Sequence, residues 1–486
     1  MKAAAPVLEW PVDPADDLPL ALWDAAAVAR AVGGVASADF QISGVEIDSR
    51  DVAPGDLFFA LKGEATDGHR FVDGAFAKGA AAAVVDQHRE GPHVLVSDTA
   101  AALEALGQAA RARTQATIIG VTGSVGKTGV KEAIFAALDR SSRGAAHRSV
   151  KSYNNHVGVP LSLARMPARS RFGIFEMGMN HAGEIAALTR QVRPHVAVIT
   201  TIAPAHIEML GSEEAIADAK AEIFEGLVPG GTAIIPADSP HFERLRDHAL
   251  RHAAKVVSVG RAAHADVRLL DAVPAPGGGS LVTMDMGDRR VCYTVSAAGE
   301  HWVVNSLAVM AAVRAAGGDL GAAGVALAEM EGLKGRGARA EIAVPGGGTA
   351  LLIDESYNAN PASMRATLAQ LGQTVARRRI AVLGAMKELG DFGPRFHAAL
   401  AGPIAEAQVD YAILVGDEMG VLAEQLGKSP AGPLGKAIRF AHCRTVADAR
   451  LALADFGLES GDAILVKGSN SVGLGALVAA LAQQEG

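Results

Sequence analysis

The chain has 486 residues, a formal net charge of −8 at pH 7, and a composition that is 49% hydrophobic and only 4% aromatic. This length predicts several domains with sizeable cores. The acidic balance and the scarcity of aromatic rings argue against a nucleic-acid-binding surface. Two distant cysteines argue against a disulfide framework, and no apolar run is long enough to span a bilayer. We therefore expect a cytoplasmic protein without membrane insertion.

The first predicted domain, residues 1–112, has a small α/β pattern. Residues 1–20 are rich in proline and aspartate and are expected to form a loose tail, followed by a helix from Leu22 to Gly33. Ser49 and Arg50 come just after a strand, where a turn with surface charge is the simpler interpretation. Apolar runs predict strands at Val45–Ile47, Leu57–Leu61, Ala82–Val85 and His93–Val96, with helices at Phe71–Lys78 and Thr99–Ala112.

The most informative stretch is Ala116–Leu138, ATIIGVTGSVGKTGVKEAIFAAL. A buried strand, a glycine loop and an amphipathic helix are predicted in that order. This order is typical of a phosphate-binding loop, in which backbone N–H groups and a helix N-terminus face phosphate oxygens. A lysine then contacts the terminal phosphates and a hydroxyl ligates Mg²⁺. The predicted loop residues are Gly123, Ser124, Val125, Gly126, Lys127, Thr128 and Gly129.

The glycine spacing departs by one residue from the ordinary phosphate-loop pattern. Val121 stands five residues before Gly126, where that pattern requires glycine. A glycine-rich turn with an unrelated lysine is therefore the alternative interpretation. The agreement of strand, loop, Lys-Thr pair and helix favours the phosphate loop.

Polar side chains follow further strands of the second predicted domain, residues 113–338. Glu176 ends one apolar run, and His206 follows the next predicted strand. Because the carboxyl ends of parallel strands meet at one sheet edge, both residues could converge on one Mg²⁺. A capping or surface glutamate is the alternative for Glu176. Asn154 and Asn155 lie in a predicted loop, where a turn without a binding role is the alternative.

The roles of two cationic residues in this region cannot be read from their own sequence positions alone. Lys220 lies in a helix that Ser212 is expected to cap, and an ammonium group has no use as a metal ligand, so a surface lysine is the simpler interpretation. Arg336 lies in the glycine-rich linker 332–340, where it could clamp a transferring phosphate or simply be exposed. A helix over 299–317 presents Asn305 in its first turns, and a hairpin is expected around 274–280.

The last predicted domain, residues 339–486, alternates strands and helices in a Rossmann-like pattern. Asn360 is expected to cap a helix that starts at Pro361, and Asp354 and Asn358 follow a strand. Strands are predicted at Ala350–Ile353, Ile380–Leu383, Tyr411–Val415 and Ala463–Val466. The predicted fold class is therefore α/β, with a small N-terminal domain, a central parallel-sheet ATP-binding domain and a Rossmann-like C-terminal domain.

Several sequence blocks together resemble the Mur ligases of bacterial peptidoglycan synthesis. The EMGMNHAGEI and DESYNANP blocks are the more specific ones and resemble the branch that adds D-alanyl-D-alanine. The glycine loop is also similar to that of folylpolyglutamate synthases, so another amide ligase is one alternative, and a phosphate-loop ATPase switch without ligation is another. The blocks are GVTGSVGKT, FEMGMNHAGEI, APAHIEMLGS, AKAEIF, LKGR and DESYNANPASM.

The resemblance implies a reaction and its participants. ATP would activate the carboxylate of UDP-N-acetylmuramoyl-tripeptide as an acyl phosphate, which D-alanyl-D-alanine would then attack, in a monomeric enzyme. Lys127, His206 and Lys220 match catalytic positions. Thr128, Glu176 and His206 match Mg²⁺-binding positions, and Lys220 matches a lysine that CO₂ converts to a carbamate, which is a metal ligand.

The resemblance also implies binding residues. Asn305, Arg336 and Asp354 match nucleotide-contacting positions. The family often has Asp-Asp where Asp354-Glu355 stands and His-Asn where His301-Trp302 stands, which leaves the adenine contacts less defined. Substrate contacts are implied for Ser49, Arg50, Lys62, Asn154, Asn155, Asn358 and Asn360.

Overall fold

A computed structural model describes residues 21–63, 66–275, 279–428 and 438–483. They form two compact units, one made of the chain up to Gln115 with Val157–Ser170, the other of Ala116–His156 with the chain from Arg171. The predicted tail, residues 1–20, and the tip of the predicted hairpin, residues 276–278, lie outside the described residues. The predicted boundaries at 112 and 338 stay predictions.

The first unit contains a five-stranded sheet in the order β2-β7-β6-β5-β4 and a two-stranded ribbon of β1 and β3. Strands β4 to β7 pair in parallel, and β2 pairs antiparallel with β7. The strands are β1 (Trp23–Asp24), β2 (Val35–Ala36), β3 (Gln41–Ile42), β4 (Gly44–Glu46), β5 (Asp56–Phe59), β6 (Ala82–Val85) and β7 (His93–Leu95). The helices are α1 (Ala25–Val32), α2 (Val72–Ala77), α3 (Thr99–Arg113) and α5 (Gly158–Ala164).

The first helix begins three residues later than predicted. Asp24 is its N-cap, because the Asp24 carboxylate accepts a hydrogen bond of 2.7 Å from the backbone N–H of Ala27. Trp23 and Asp24 pair with Gln41–Ile42 in the ribbon. The other predicted elements of this unit are confirmed to within two residues at each end.

The second unit is built on a nine-stranded sheet in the order β16-β15-β14-β13-β12-β11-β8-β10-β9. The strands are β8 (Thr117–Thr122), β9 (Ala146–Arg148), β10 (Phe172–Glu176), β11 (Val196–Ile199), β12 (Thr232–Pro236), β13 (Lys255–Gly260), β14 (Val267–Pro274), β15 (Ser280–Asp285) and β16 (Arg290–Val295). The helices are α4 (Lys127–Ser142), α6 (Glu184–Val192), α7 (Ile207–Leu210), α8 (Glu213–Ala221), α9 (Phe242–Leu250), α10 (Glu300–Ala315) and α11 (Leu320–Ala328).

Strand β8 is the point where the order of this sheet reverses. It lies between β10 and β11, and all strands from β9 to β14 pair in parallel. The chain leaves β8 toward β9 and β10 on one side and reaches β11 on the other. In open α/β sheets, ligands bind outside the carboxyl ends of the strands at such a switch point. The three loops after β8, β10 and β11 are therefore brought together.

The helices α4 and α10 cover the sheet near β8. Ile134 and Leu138 of α4 and Leu307 of α10 are fully buried in one core with Ile119 and Val121 of β8. A buried side chain of this size contributes roughly 1.5–3 kcal/mol through removal from water. This packing fixes the helix whose N-terminus follows the glycine loop.

The C-terminal part of the second unit has a six-stranded sheet in the order β17-β18-β22-β19-β20-β21. All its pairs are parallel except the antiparallel pair of β17 and β18. The strands are β17 (Ala338–Ala343), β18 (Thr349–Glu355), β19 (Arg379–Gly384), β20 (Tyr411–Val415), β21 (Arg439–Cys443) and β22 (Ala463–Lys467). The helices are α12 (Pro361–Gln373), α13 (Gly393–Ala398), α14 (Ala401–Glu406), α15 (Gly420–Lys428), α16 (Val446–Phe456) and α17 (Gly475–Ala482).

The predicted α/β fold class is confirmed, and the predicted strands of the C-terminal sheet are all present. Asn360 caps α12 as predicted, in a reciprocal capping box with Ser363. Strand β17, in which Ile342 is the buried residue, was not predicted from the sequence, because its first residues were assigned to the glycine-rich linker 332–340. None of the helices in the described part of the chain combines the length and the apolarity needed to cross a membrane.

We predict that truncating Ile134 lowers the free energy of unfolding by about 2–5 kcal/mol in Ile134→Ala and about 0.5–1.5 kcal/mol in Ile134→Val. The side chain is fully buried against the sheet, so the loss should grow with the cavity that each variant leaves. Urea denaturation followed by circular dichroism measures both variants against wild type. Equal, small losses in both variants would contradict the packing described for α4.

Candidate active site

The loops after β8, β10 and β11 surround a cavity of about 240 Å³, which residues of the six-stranded sheet and its linker also line. Of the predicted phosphate-loop residues, Ser124, Val125, Gly126, Lys127 and Gly129 line it. The structure therefore brings the glycine loop to the switch point of the sheet. The predicted residues Glu176, His206, Lys220, Asn154, Asn305, Arg336, Asn358 and Asn360 also line the cavity.

The loop geometry requires glycine at two positions. Gly126, the N-cap of α4, has a φ of +87°, and a Cβ placed there would lie 2.8 Å from the side-chain amide nitrogen of Asn305. Gly123 has a φ of +146°, and a Cβ there would lie 2.0 Å from the Thr200 hydroxyl. Both values fall where residues with a side chain are rare. Because these two positions carry no side chain, the backbone of the loop is exposed to the cavity.

Lys127, the first residue of α4, is half-buried at the rim of the glycine loop. Its Nζ donates a hydrogen bond of 2.8 Å to the Gly123 carbonyl. Burial lowers the pKa of Lys127, the Arg336 charge lowers it further, and the nearby Glu176 carboxylate raises it. The ammonium group is therefore held across the loop, beside one anion and another cation.

Glu176 ends β10 and is only 1% exposed. One carboxylate oxygen accepts a hydrogen bond of 2.8 Å from the Thr128 hydroxyl, and the other accepts one of 2.7 Å from the side-chain amide of Asn154. A buried carboxylate next to a hydroxyl is an oxygen-rich environment that suits a hard cation such as Mg²⁺. The structure thus brings together Thr128, Asn154 and Glu176, which lie in three separate segments of the sequence.

Lys220 has an unusual environment for a lysine. Its side chain is 1% exposed, and no residue of the described chain forms a hydrogen bond or ion pair with it. Burial lowers the pKa of Lys220 well below its ordinary value, and the Lys127 charge adds to this effect. The folded protein therefore disfavours the charged form of this amine at the cavity wall.

Arg336 connects the linker to the nine-stranded sheet. Its guanidinium lies 4.1 Å from the centre of the Tyr357 ring and donates a hydrogen bond of 3.2 Å to the Ser152 hydroxyl. The backbone N–H of Gly335 donates a hydrogen bond of 2.8 Å to the Asp354 carboxylate. The arginine is therefore positioned over the cavity by contacts on both sides of the linker.

Several residues that line the cavity carried no predicted role. Lys467, at the end of β22, is 2% exposed in its side chain and donates a hydrogen bond of 2.9 Å to the Asn358 carbonyl. It lies 3.5 Å from the Glu355 carboxylate, and burial lowers its pKa. A polar residue at the end of a buried strand was the available signal. Trp302 was likewise assigned no binding role from the sequence. Its ring packs closely against α4, because a Cβ on Gly129 would lie 2.5 Å from it.

His301 lines the cavity beside Trp302. Burial lowers the pKa of His301 to about 4, and the Lys467 charge contributes to the shift. The ring is therefore neutral at physiological pH. A neutral imidazole next to an indole suits contact with a flat, uncharged ligand group better than contact with a phosphate.

Some predicted residues lie elsewhere. Asp354 does not line the cavity, and its second carboxylate oxygen accepts hydrogen bonds from the backbone and hydroxyl of Ser356. Asn155 is exposed and does not line it either. Of the residues in the first unit, Arg50 pairs with Asp48 at 2.6 Å and Lys62 with Asp86 at 2.7 Å. Ser49 directly precedes Arg50 in the chain. The nucleotide contact of Asp354 and the substrate contacts of Asn155, Ser49, Arg50 and Lys62 stay predictions.

Glu388, from the loop after β19, reaches His206. Its carboxylate lies 2.7 Å from Nδ1 of the ring. The histidine lowers the pKa of Glu388 below its usual range. This contact links the six-stranded sheet to the loop after β11.

We predict that Lys131→Met lowers the free energy of unfolding by about 1–3 kcal/mol and weakens ATP binding. The fully buried Lys131 ammonium donates to the carbonyls of Ser149 and Lys151 at 2.7 and 2.9 Å, which fixes the loop carrying Ser152. Calorimetric titration with ATP and urea denaturation measure both effects. Glu132→Gln is the control, because it removes the ion pairs of Glu132 to Lys131 and Arg148 and keeps both hydrogen bonds of the Lys131 ammonium. Unchanged ATP affinity in Lys131→Met would contradict the positioning role.

Three profiles of one protein family match this chain in succession. The profile described as the Mur ligase family catalytic domain matches residues 41–121, the Mur ligase middle domain matches 121–313, and the Mur ligase glutamate ligase domain matches 339–470. Together they cover most of the sequence.

Individual proteins are similar over nearly the whole length. The UDP-N-acetylmuramoyl-tripeptide–D-alanyl-D-alanine ligase of Synechocystis sp. is 36% identical over 457 residues, 92% of this chain and 93% of the relative. The ligase of the same name from Escherichia coli is 33% identical over 452 residues, 92% and 96% of the two chains. A crystal structure of MurF from Acinetobacter baumannii superposes with a TM-score of 0.81 at 30% identity, covering 96% of this chain and all of that one.

Proposed function

Because the chain belongs to the Mur ligase family, we propose that it uses ATP to join D-alanyl-D-alanine to UDP-N-acetylmuramoyl-tripeptide in peptidoglycan synthesis. The observation that carries this function is one cavity in which a phosphate loop faces the carboxylate of Glu176 and the buried amine of Lys220. Relatives whose names give these small-molecule substrates, and which align over 92% of this chain and 93% and 96% of their own, support the choice of reaction. The product is the UDP-N-acetylmuramoyl-pentapeptide.

The reaction needs ATP because a free carboxylate is a poor acyl donor. In the first step, an oxygen of the tripeptide's terminal carboxylate bonds to the γ-phosphorus of ATP, and the bond from that phosphorus to the bridging oxygen breaks, which releases ADP. The amine of D-alanyl-D-alanine then bonds to the acyl carbon and loses a proton. The carbon–oxygen bond to phosphate breaks at this stage, so the released phosphate carries one oxygen of the original carboxylate.

The cations of the cavity support the phosphoryl transfer. Lys127 lies at the N-terminus of α4, where backbone N–H groups and the helix dipole also attract phosphate. Arg336 approaches from the linker and is held by Tyr357 and Ser152. Both groups are fixed before the reaction, so they stabilise charge on the transferring group without reorganisation. Asn305, packed against Gly126, is the proposed contact for the nucleotide on the other side of the loop.

The donor set around Glu176 fits Mg²⁺. Thr128, Glu176 and His206 would hold the ion, together with a carbamate on Lys220. No group of three or more His, Cys, Asp or Glu lies together in the described residues, so the set needs hydroxyl, carbamate and phosphate oxygens to be complete. When bound, Mg²⁺ neutralises charge on the ATP phosphates and polarises the γ-phosphorus.

The buried amine of Lys220 suits reaction with CO₂. A nitrogen lone pair bonds to the carbon of CO₂ and a proton is lost, which converts an amine into a carbamate with two oxygen ligands. The side chain has no hydrogen-bond or ion-pair partner among the described residues, so its Nζ is available at the cavity wall. The modification also places an anion beside the Lys127 charge.

We predict that protein equilibrated with ¹³C-bicarbonate shows a carbamate carbon resonance that is absent from Lys220→Met. Lys255→Met is the matched control, because Lys255 is an exposed lysine of the same sheet. Carbon-13 NMR measures the resonance, and removal of CO₂ should reduce the ligation rate of wild type. A resonance that persists in Lys220→Met would assign the carbamate to another amine.

The remaining substrate contacts are proposals that follow from family resemblance. Asn154, Asn358 and Asn360 line the cavity and would contact the peptide ends near the reacting atoms. Asn155 is exposed, and family resemblance alone supports its proposed contact with the same substrate. Ser49, Arg50 and Lys62 of the first unit would bind the nucleotide-sugar end. We further propose that the enzyme acts as a monomer in the cytoplasm.

The function is tested by phosphate release from ATP and Mg²⁺ in the presence of UDP-N-acetylmuramoyl-tripeptide. We predict release only when D-alanyl-D-alanine is added, with a mass gain of one dipeptide on the nucleotide-sugar. Lys127→Met should lower the rate by about 10²–10³-fold, whereas Lys255→Met should not. Release that ignores D-alanyl-D-alanine would indicate an ATPase, and release that requires a folate and L-glutamate would indicate a folylpolyglutamate-type ligase.

A further inference from the structure

His206 and Glu388 meet across two sheets of the second unit. Nδ1 of His206 lies 2.7 Å from a Glu388 carboxylate oxygen, although the two groups are not aligned as a hydrogen bond. Nδ1 is buried and has no other hydrogen-bond partner. A carboxylate can only accept, so the pair is satisfied when Nδ1 carries the proton and the ring turns slightly toward Glu388.

Both residues have a strained backbone. The φ of His206 is +61° and that of Glu388 is +62°, a region that residues with a side chain rarely adopt because it is strained. Such strain persists only where surrounding contacts hold it. His206 and Glu388 are both strained and their side chains face each other, so the surrounding fold holds this contact in place at a cost in local stability.

The loop that carries Glu388 is anchored on both sides. The backbone N–H of Met386 donates to the ring of His397 at 2.9 Å, and that of Lys387 donates to the Ser469 hydroxyl at 2.9 Å. The following residue, Leu389, is buried. The Glu388 carbonyl also accepts a hydrogen bond of 3.4 Å from the backbone N–H of Glu208, two residues after His206. Glu388 is thus presented from a fixed loop of the six-stranded sheet.

We infer that Glu388 is a positioning residue for His206. It holds the proton on Nδ1, which leaves the Nε2 lone pair for a ligand in the cavity that His206 lines. A ligating histidine commonly donates its other ring N–H to a carboxylate, which fixes its tautomer and orientation. Here the carboxylate comes from a different sheet, so His206 is oriented only while the two sheets are together. The inference rests on the proposed function, because it gives the Nε2 lone pair the Mg²⁺ of that reaction.

The tautomer of His206 tests the inference without any metal. In ¹⁵N-histidine-labelled full-length protein, long-range ¹H–¹⁵N spectra report which ring nitrogen carries the proton, and His206→Asn assigns the signal. We expect the Nδ1–H form in wild type and in Glu388→Gln, whose amide oxygen still accepts. In Glu388→Ala we expect a shift to Nε2–H. The same tautomer in Glu388→Ala as in wild type would overturn the inference.

Mn²⁺ tests the consequence for the site. With a non-hydrolysable ATP analogue bound, electron spin-echo modulation detects a histidine nitrogen next to Mn²⁺. We expect this signal in wild type, its loss in Glu388→Ala, and Mn²⁺ affinity weakened by about 10–100-fold in that variant. Glu418→Gln is the matched control, because Glu418 pairs with Lys387 in the same region and does not line the cavity.

The two readouts separate this inference from the proposed function. If wild type shows the Nδ1–H tautomer but no nitrogen coupling to Mn²⁺, the proposed metal role of His206 fails and the positioning of its ring by Glu388 stands. If nitrogen coupling is present in wild type and unchanged in Glu388→Ala, the positioning role fails and the metal site stands. Circular dichroism confirms that each variant is folded.

Discussion

The structure depends on cations gathered around a cavity with too few anions to balance them. Lys127, Lys467 and Arg336 line it, and Lys467 is buried, whereas Glu176 and Glu355 are the lining carboxylates. Burial lowers the pKa of both lysines, and the Arg336 charge lowers each of them further. Such an arrangement is costly in an empty cavity and favourable around a polyanion. It explains why the site is suited to ATP, whose phosphates supply the missing negative charge.

The same constraint explains the topology. A phosphate loop alone offers one lysine and the N-terminus of α4, and the remaining groups come from distant parts of the chain. The sheet order places β8 between β10 and β11, which brings Glu176 and His206 to the loop. The linker and the six-stranded sheet add Arg336 and Lys467 from the other side. An acyl phosphate is open to hydrolysis, and a site assembled from two sheets can exclude water when they come together.

Much of this arrangement could be predicted from local patterns. The glycine loop, the strand ending at Glu176 and the capped start of α12 each carry a signal within about ten residues, and all three are present. The signals fail where the physical cause lies elsewhere in the fold. Strand β17 is defined by its pairing with β18. The Asp354 carboxylate holds the turn at Gly335 and Ser356, a contact that its own sequence block does not indicate. The contact of Glu388 with His206 joins residues 182 positions apart, so no local pattern indicates it.

The most direct test of this account follows one oxygen atom. A tripeptide substrate with ¹⁸O in its terminal carboxylate is converted by the enzyme with ATP and D-alanyl-D-alanine, and the released phosphate is analysed by mass spectrometry. The account predicts that each phosphate carries one ¹⁸O atom, because the carboxylate oxygen attacks the γ-phosphorus and leaves with it. Phosphate without the label, released at the rate of ligation, would contradict activation of the carboxylate by phosphoryl transfer in this cavity.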